Sequence, residues 1–268
     1  IANARFKRAM DRASAATAYT NKMTDLDSDL AQSGLKVSHP LLEPRPEPDR
    51  GLLLLLTANR GMCGGYNSGV LRAGVQQYRQ LGKELPILEI EVSGKRGINA
   101  LKFRKIIPNQ SFTHFDDQPK YVEVEELADR YLDEFVRGKL DRLDVAYTRF
   151  VSSARQEPVV ETLLPLGSLA GTESGKGPAR GESTYEFLPS AESILEEVVP
   201  TSFRVKLFKC FLDAAVSEQI ARMVAMKAAT ENADEMIRQL SMTYNRARQS
   251  QITGEIMEII GGVEALNS

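Results

Sequence analysis

From about residue 201 to residue 261 the chain holds a helical pattern that no proline interrupts. Leu212, Val216, Ile220, Met223, Met226, Ala229, Ala233, Met236, Leu240, Tyr244 and Ala247 succeed one another at spacings of three or four, which is one stripe of a helix. Thr201 and Ser202, just after Pro200, are favourable N-caps, and only Gly254 weakens the interior. About sixty residues at ~1.5 Å each make roughly 90 Å of helix, more than a compact domain can enclose. Such a helix has to project and pair. The chain supplies a partner at its other end: residues 1–33 contain neither Gly nor Pro, and Phe6, Ala9, Ala13, Ala16, Tyr19, Met23, Leu26 and Leu30 form a second, Ala-rich stripe. The simplest arrangement is an antiparallel coiled coil of the two terminal helices, with the intervening chain inserted as a domain. Ile1 falls inside the first pattern with no initiator Met or signal peptide, so further residues are expected upstream.

The insert follows a different pattern. Residues 39–50 hold four prolines and read as a linker after an N-terminal helix spanning 1–38. Residues 51–57 (GLLLLLT) form a short apolar run bounded by turn residues, as a buried strand requires. A glycine-rich turn and a helix to about Gly82 follow. A strand is then expected over 85–94, a short helix over 95–103 and a helix over 122–136, with paired strands over 143–153 and 158–166. Alternating strands and helices predict a Rossmann-like α/β layer over 51–200, mostly parallel with an antiparallel edge. Residues 167–184 are a flexible loop by composition, 185–200 a short strand leading into a helix, and 201–268 the C-terminal shaft helix.

Composition removes several functions. A net charge of −2 argues against a dedicated nucleic-acid binder. Leu52–Leu56 is the longest aliphatic run, far below the ~20 residues of a membrane span. Cys63 and Cys210 are too far apart for a CxxC metal or redox motif, and His39 and His114 join no ligand cluster. The glycine turn reads Gly61-x-x-Gly64-Gly65-x-x-x-Gly69, neither GxGxxG nor a P-loop, and Lys95 lacks the glycine and hydroxyl that a P-loop lysine needs. Gly61, Gly64 and Gly65 are therefore expected to serve a structural turn. Cys63 has no base beside it and reads as a buried thiol, while Glu123, Glu125 and Glu126 read as a solvated face. No catalytic, cofactor or metal site emerges. The neutral total conceals an uneven distribution: +4 over residues 1–24, +3 over 201–250 and −9 over the remainder. A basic shaft suits an acidic surrounding partner. Met223, Met226, Met236 and Met242 suit either a coiled-coil core or an adaptable contact surface.

Residues 217–233 (SEQIARMVAMKAATENA) and 244–262 (YNRARQSQITGEIMEIIGG) closely resemble the C-terminal helix of the F-type ATP synthase gamma subunit. Residues 57–67 (TANRGMCGGYN) are similar to that family's glycine turn, and 93–97 (SGKRG), 150–166 and 185–195 (YEFLPSAESIL) fit in the same order. The resemblance implies a non-enzymatic rotor subunit without cofactor. Its terminal helices would form the central shaft inside the hexamer of alpha and beta subunits. Its α/β domain would stand by the epsilon subunit and the membrane c-ring. It further implies that Arg248, Gln249, Thr253 and Glu255 contact the beta subunits, and that Arg222, Met223 and Lys227 belong to the SExxARMxAM stretch. The resemblance also implies a peripheral place on the cytoplasmic face of a bacterial plasma membrane, with an organellar inner membrane as the alternative. The family's basic N-terminal T-x-K-I-T-x-A-M-like segment is absent from the sequence, as is the two-cysteine insert of chloroplast members. The rival readings are a nucleotide-dependent Rossmann-like enzyme with helical extensions and a generic coiled-coil adaptor.

Overall fold

Leu52 to Leu56 explain the architecture. In the computed structural model, which describes residues 7, 9–11, 39–115, 118–166 and 191–267, they form β1 (Arg50–Leu56). The order continues as α1 (Tyr66–Glu84), β2 (Ile87–Ser93), α2 (Lys95–Phe103), β3 (Gln110–Phe112), α3 (Tyr121–Val136), β4 (Arg142–Ser152), β5 (Arg155–Leu164) and α4 (Ala191–Asn267). The sheet order is β3-β2-β1-β4-β5; β5 alone runs antiparallel to its neighbour. β1 lies at the centre and is covered on both faces, so it does not alternate apolar with polar residues. Leu52, Leu54 and Leu56 enter a core with α3 and α4, whereas Leu53 and Leu55 enter a second core containing Val70 and Val75 of α1 and Leu101 of α2. The α/β layer anticipated from the sequence is thus a sheet with helices on both faces. The expected loop 167–184, the strand near 185 and most of the N-terminal helix lie outside the described residues. Lys7, Ala9, Met10 and Asp11 are helical, and Ala9 packs against Val216 and Ile220.

Two features depart from the pattern read in the sequence. The proline-rich stretch 39–50 is held against the domain: Leu41 and Leu42 are buried, Arg45 pairs with Asp141 at 3.0 Å, and Asp141 Oδ2 accepts the N–H groups of Asp49 and Arg50. The last helix starts at Ala191, not at Thr201, and continues through Pro200. Val199, Phe203, Leu207, Cys210 and Ala214 are one buried row of α4 in the core. Each large apolar side chain so buried contributes ~1.5–3 kcal/mol. That offsets the ~3 kcal/mol cost of a proline inside a helix. Glu196, whose carbonyl loses its partner at Pro200, is exposed to water. Thr201 is then interior, and its hydroxyl donates to the Glu197 carbonyl at 2.7 Å. By packing, the chain divides within α4 into Ile1–Met223 and Val224–Ser268.

Candidate functional site

In open α/β sheets, ligands bind beyond the carboxyl ends of the strands where the strand order reverses, here beside β1 and β4. A phosphate there needs free N–H groups at a helix N-terminus. The first N–H groups of α2 are already taken by the segment after β1. Gly97 N–H donates to Thr57 Oγ1 at 2.9 Å, Arg96 N–H to the Ala58 carbonyl at 3.1 Å, and Lys95 N–H to Asn59 Oδ1 at 3.1 Å. The Thr57 hydroxyl in turn donates to the Ser93 carbonyl at 2.7 Å. Asn59 Nδ2 donates to the Thr113 and Phe115 carbonyls, each at 3.0 Å. Gly94 has φ 101°, and a Cβ there would lie 2.1 Å from the Thr57 carbonyl oxygen. Its glycine serves the approach of the chain to itself, where a dinucleotide fold uses one to admit pyrophosphate.

The turn over 57–67 is closed in the same way. Asn67 Oδ1 accepts the Ala58 N–H at 2.9 Å, and its Nδ2 donates to Cys63 Sγ at 3.1 Å. Ala58, Cys63 and Tyr66 are buried together against Ala221 of α4. Burial and the nearby Glu218 push the Cys63 thiol up, so it is a poor nucleophile. Of the three glycines singled out in this turn, Gly64 has a positive φ of 52°. Gly65 has φ −83° with room beside it, and a Cβ at Gly61 would meet the Arg96 guanidinium. Met62, exposed and at φ 60°, holds the left-handed conformation without being glycine. Among the described residues, no group of three His, Cys, Asp or Glu is placed to hold a metal.

The stretch 216–222 of α4 is an internal junction. Val216 and Ile220 contact Ala9, Met10 and Phe150. The Ser217 hydroxyl donates to the Thr148 carbonyl at 3.2 Å, and Arg222 pairs with Glu218 at 2.6 Å, both nearly buried. Met223 is half-buried, and Lys227 lies on the exposed helix 3.9 Å from Glu231. Nothing in the sequence pattern distinguished these buried polar residues from a solvated face.

Residues 224–267 form one helix, exposed throughout from Lys227 to Ala265. Arg248, Gln249, Thr253 and Glu255 are all exposed, and Glu255 accepts a hydrogen bond from Gln251 at 3.0 Å. Helical spacing sets Arg248 and Glu255 on one row, seven residues apart, and Gln249 and Thr253 on the adjacent row. Arg248 falls between Tyr244 and Ile252 in an apolar row that includes Ile237, Leu240, Ile256, Ile259 and Val263, each 44–67% exposed. A continuous uncovered apolar row with a cation in it marks an interface. Among the described residues, no helix is long and apolar enough to cross a membrane.

The chain is similar to known proteins over nearly its whole length. The family model described as ATP synthase matches residues 1–266. The ATP synthase gamma chain of Rhodopirellula baltica is 62% identical over 99% of this chain and 90% of its own length. That of Exiguobacterium sibiricum is 37% identical over 99% and 90%. Among solved structures, a chain from the Euglena gracilis mitochondrial ATP synthase OSCP/F1/c-ring assembly is similar with a TM-score of 0.56 at 18% identity, covering 98% of this chain and 95% of that one. A chain from the central stalk and c-ring of Tetrahymena thermophila mitochondrial ATP synthase gives 0.52 at 16% identity, covering 86% and 99%. At those identities the structural likeness establishes the fold.

Proposed function

The chain belongs to the gamma-chain family of ATP synthases, and from that membership we propose how its exposed helix performs the family's work. It is the central-stalk rotor subunit and is not itself an enzyme. Its partners are the alpha and beta subunits, epsilon and the c-ring. Torque from the ring reaches the head through α4, and each angle of an asymmetric helix offers different contacts to the three beta subunits. Each beta subunit is then biased toward a different conformation, a population shift set by contact energy. Arg248, Gln249, Thr253 and Glu255 are the contacts to beta. The observation that carries this reading is the uncovered apolar row of 224–267 with these polar groups on and beside it. Location on the cytoplasmic face of a bacterial plasma membrane is supported by the bacterial relatives.

The contact assignment has a direct test. The double variant Arg248→Ala, Gln249→Ala should assemble, yet synthesise ATP at least tenfold more slowly in energised vesicles, about 1.4 kcal/mol of lost transition-state coupling. Unchanged synthesis would remove these residues from the beta contact. Recovery of the chain from native membranes without alpha or beta subunits would overturn the rotor reading itself.

A further inference from the structure

A groove of 740 Å³ runs along α1 in the α/β unit. Arg72, Arg79 and Lys83 of α1 line it together with Arg104, which follows α2; Leu71 and Val75 are recessed in it. No acidic residue lines it, and none of the four cations forms an ion pair among the described residues. The excess is local: residues 51–115 carry nine basic and three acidic side chains in a chain of net charge −2. One of those three, Glu91, is buried in a pair with Arg130. Arg79 and Lys83 stand four apart on one helix, where like charges disfavour the helix, so folding gives no reason for the row. Beside Arg104, Phe103 and Ile107 are each 88% exposed.

We propose that this groove docks an acidic, amphipathic segment of a partner subunit. Charge complementarity selects the sign of the partner. Concavity selects its class: a flat anionic membrane reaches the guanidinium groups but not the recessed Leu71 and Val75. A peptide segment reaches both, with apolar side chains on the floor and carboxylates along the rim. Arg72, Arg79 and Lys83 lie about 10 Å and 16 Å apart along one row, so carboxylates spaced over three turns of helix match them. None of its lining residues is among Arg248, Gln249, Thr253 and Glu255, and its occupancy does not depend on their role.

The test places a photo-reactive benzoylphenylalanine at exposed Gln76 in the assembled ATP synthase of native membranes and maps the cross-linked peptide by mass spectrometry. The expected product joins Gln76 to a partner segment in which Asp and Glu outnumber Lys and Arg. The triple variant Arg72→Glu, Arg79→Glu, Lys83→Glu should reduce it at least tenfold. Should that variant fail to assemble, raising salt from 50 to 500 mM on the parent complex should lower the yield at least fivefold, because the Debye length shortens. A product on a neutral or basic segment, no product, or a yield indifferent to charge and salt overturns the proposal. So does a cross-link to lipid accompanied by charge-dependent binding of the purified chain to phosphatidylglycerol vesicles, which would assign the face to the membrane surface.

Discussion

Two buried carboxylates have opposite circumstances. Glu91 accepts two hydrogen bonds from the Arg130 guanidinium at 2.8 and 2.7 Å and a third from Tyr131 at 2.6 Å. Asp213 is as deeply buried, but its Oδ2 has no hydrogen-bond partner among the described residues. Burial pushes its carboxyl from 3.8 up to about 6, against the pull of Lys209, the Phe150 N–H and Arg149, with Glu161 adding to the rise. A carboxyl whose native pKa exceeds its unfolded value binds its proton more tightly when folded. Its stabilising contribution is therefore complete below pH 4 and is lost as pH rises through 6. Asp213→Asn should stabilise the chain at pH 7.5 by about 3 kcal/mol, since the rise from 3.8 to about 6 exceeds two tenfold changes in proton affinity, each worth ~1.4 kcal/mol. The measurement is urea unfolding of both chains at pH 7.5 and pH 4; the gap should close at the lower pH. A gap of equal size at both would show that ionisation is not its cause. Neither carboxylate stood out in the sequence, because burial sets them apart and the groups that hold Glu91, Arg130 and Tyr131, lie far along the chain.

At the scale of elements, α1 approaches the sheet through Gly74. A Cβ there would stand 2.1 Å from Leu55 Cδ2 and 3.3 Å from the Ala146 Cβ, both in the buried sheet. Gly74→Val should cost about 3 kcal/mol by overpacking. Gly82→Ala on the same helix meets only ordinary contact at 3.8 Å and should be neutral or gain up to ~1 kcal/mol. Thermal unfolding of the pair checks this, and equal midpoints would mean the helix can lift off the sheet without cost. The elements of this unit were legible where local pattern and tertiary packing agree. The leucines of β1 announced a doubly covered strand, and residues 95–103 announced α2 to the residue. β3 was missed because a three-residue strand has no period to read; the Asn109 side chain bonding to the Ile90 N–H helps to hold its approach. The start of α4 was misread because Pro200 is a strong local signal, while the buried row from Val199 to Ala214 is a tertiary one. The closed crevice was legible only in part. Departure from GxGxxG was visible, but the capture of three α2 N–H groups by Thr57, Ala58 and Asn59 requires coordinates.

For the whole molecule the decisive property is continuity of one helix through two differently packed regions. α4 is a core element of the α/β unit as far as Met223 and an uncovered helix beyond it. Continuous hydrogen bonding is what allows twist imposed on one part to appear in the other, since each turn is fixed to the next by i to i−4 bonds. Met236 tests this within the exposed part, where its side chain is 62% exposed and no core contact confounds the result. Proline at 236 removes the N–H that bonds the Asn232 carbonyl and sets its ring against that carbonyl, costing ~3 kcal/mol or more. In inverted membrane vesicles, the Met236→Pro enzyme should hydrolyse ATP at the head yet fail to acidify the lumen, read as lost dye quenching. Met236→Leu, which keeps the backbone bond, should pump normally. Full pumping by the proline variant would show that torque does not need an unbroken α4 at this level. Loss of pumping in both variants would assign the effect to the methionine side chain, and the exposed methionines would then be contacts in their own right.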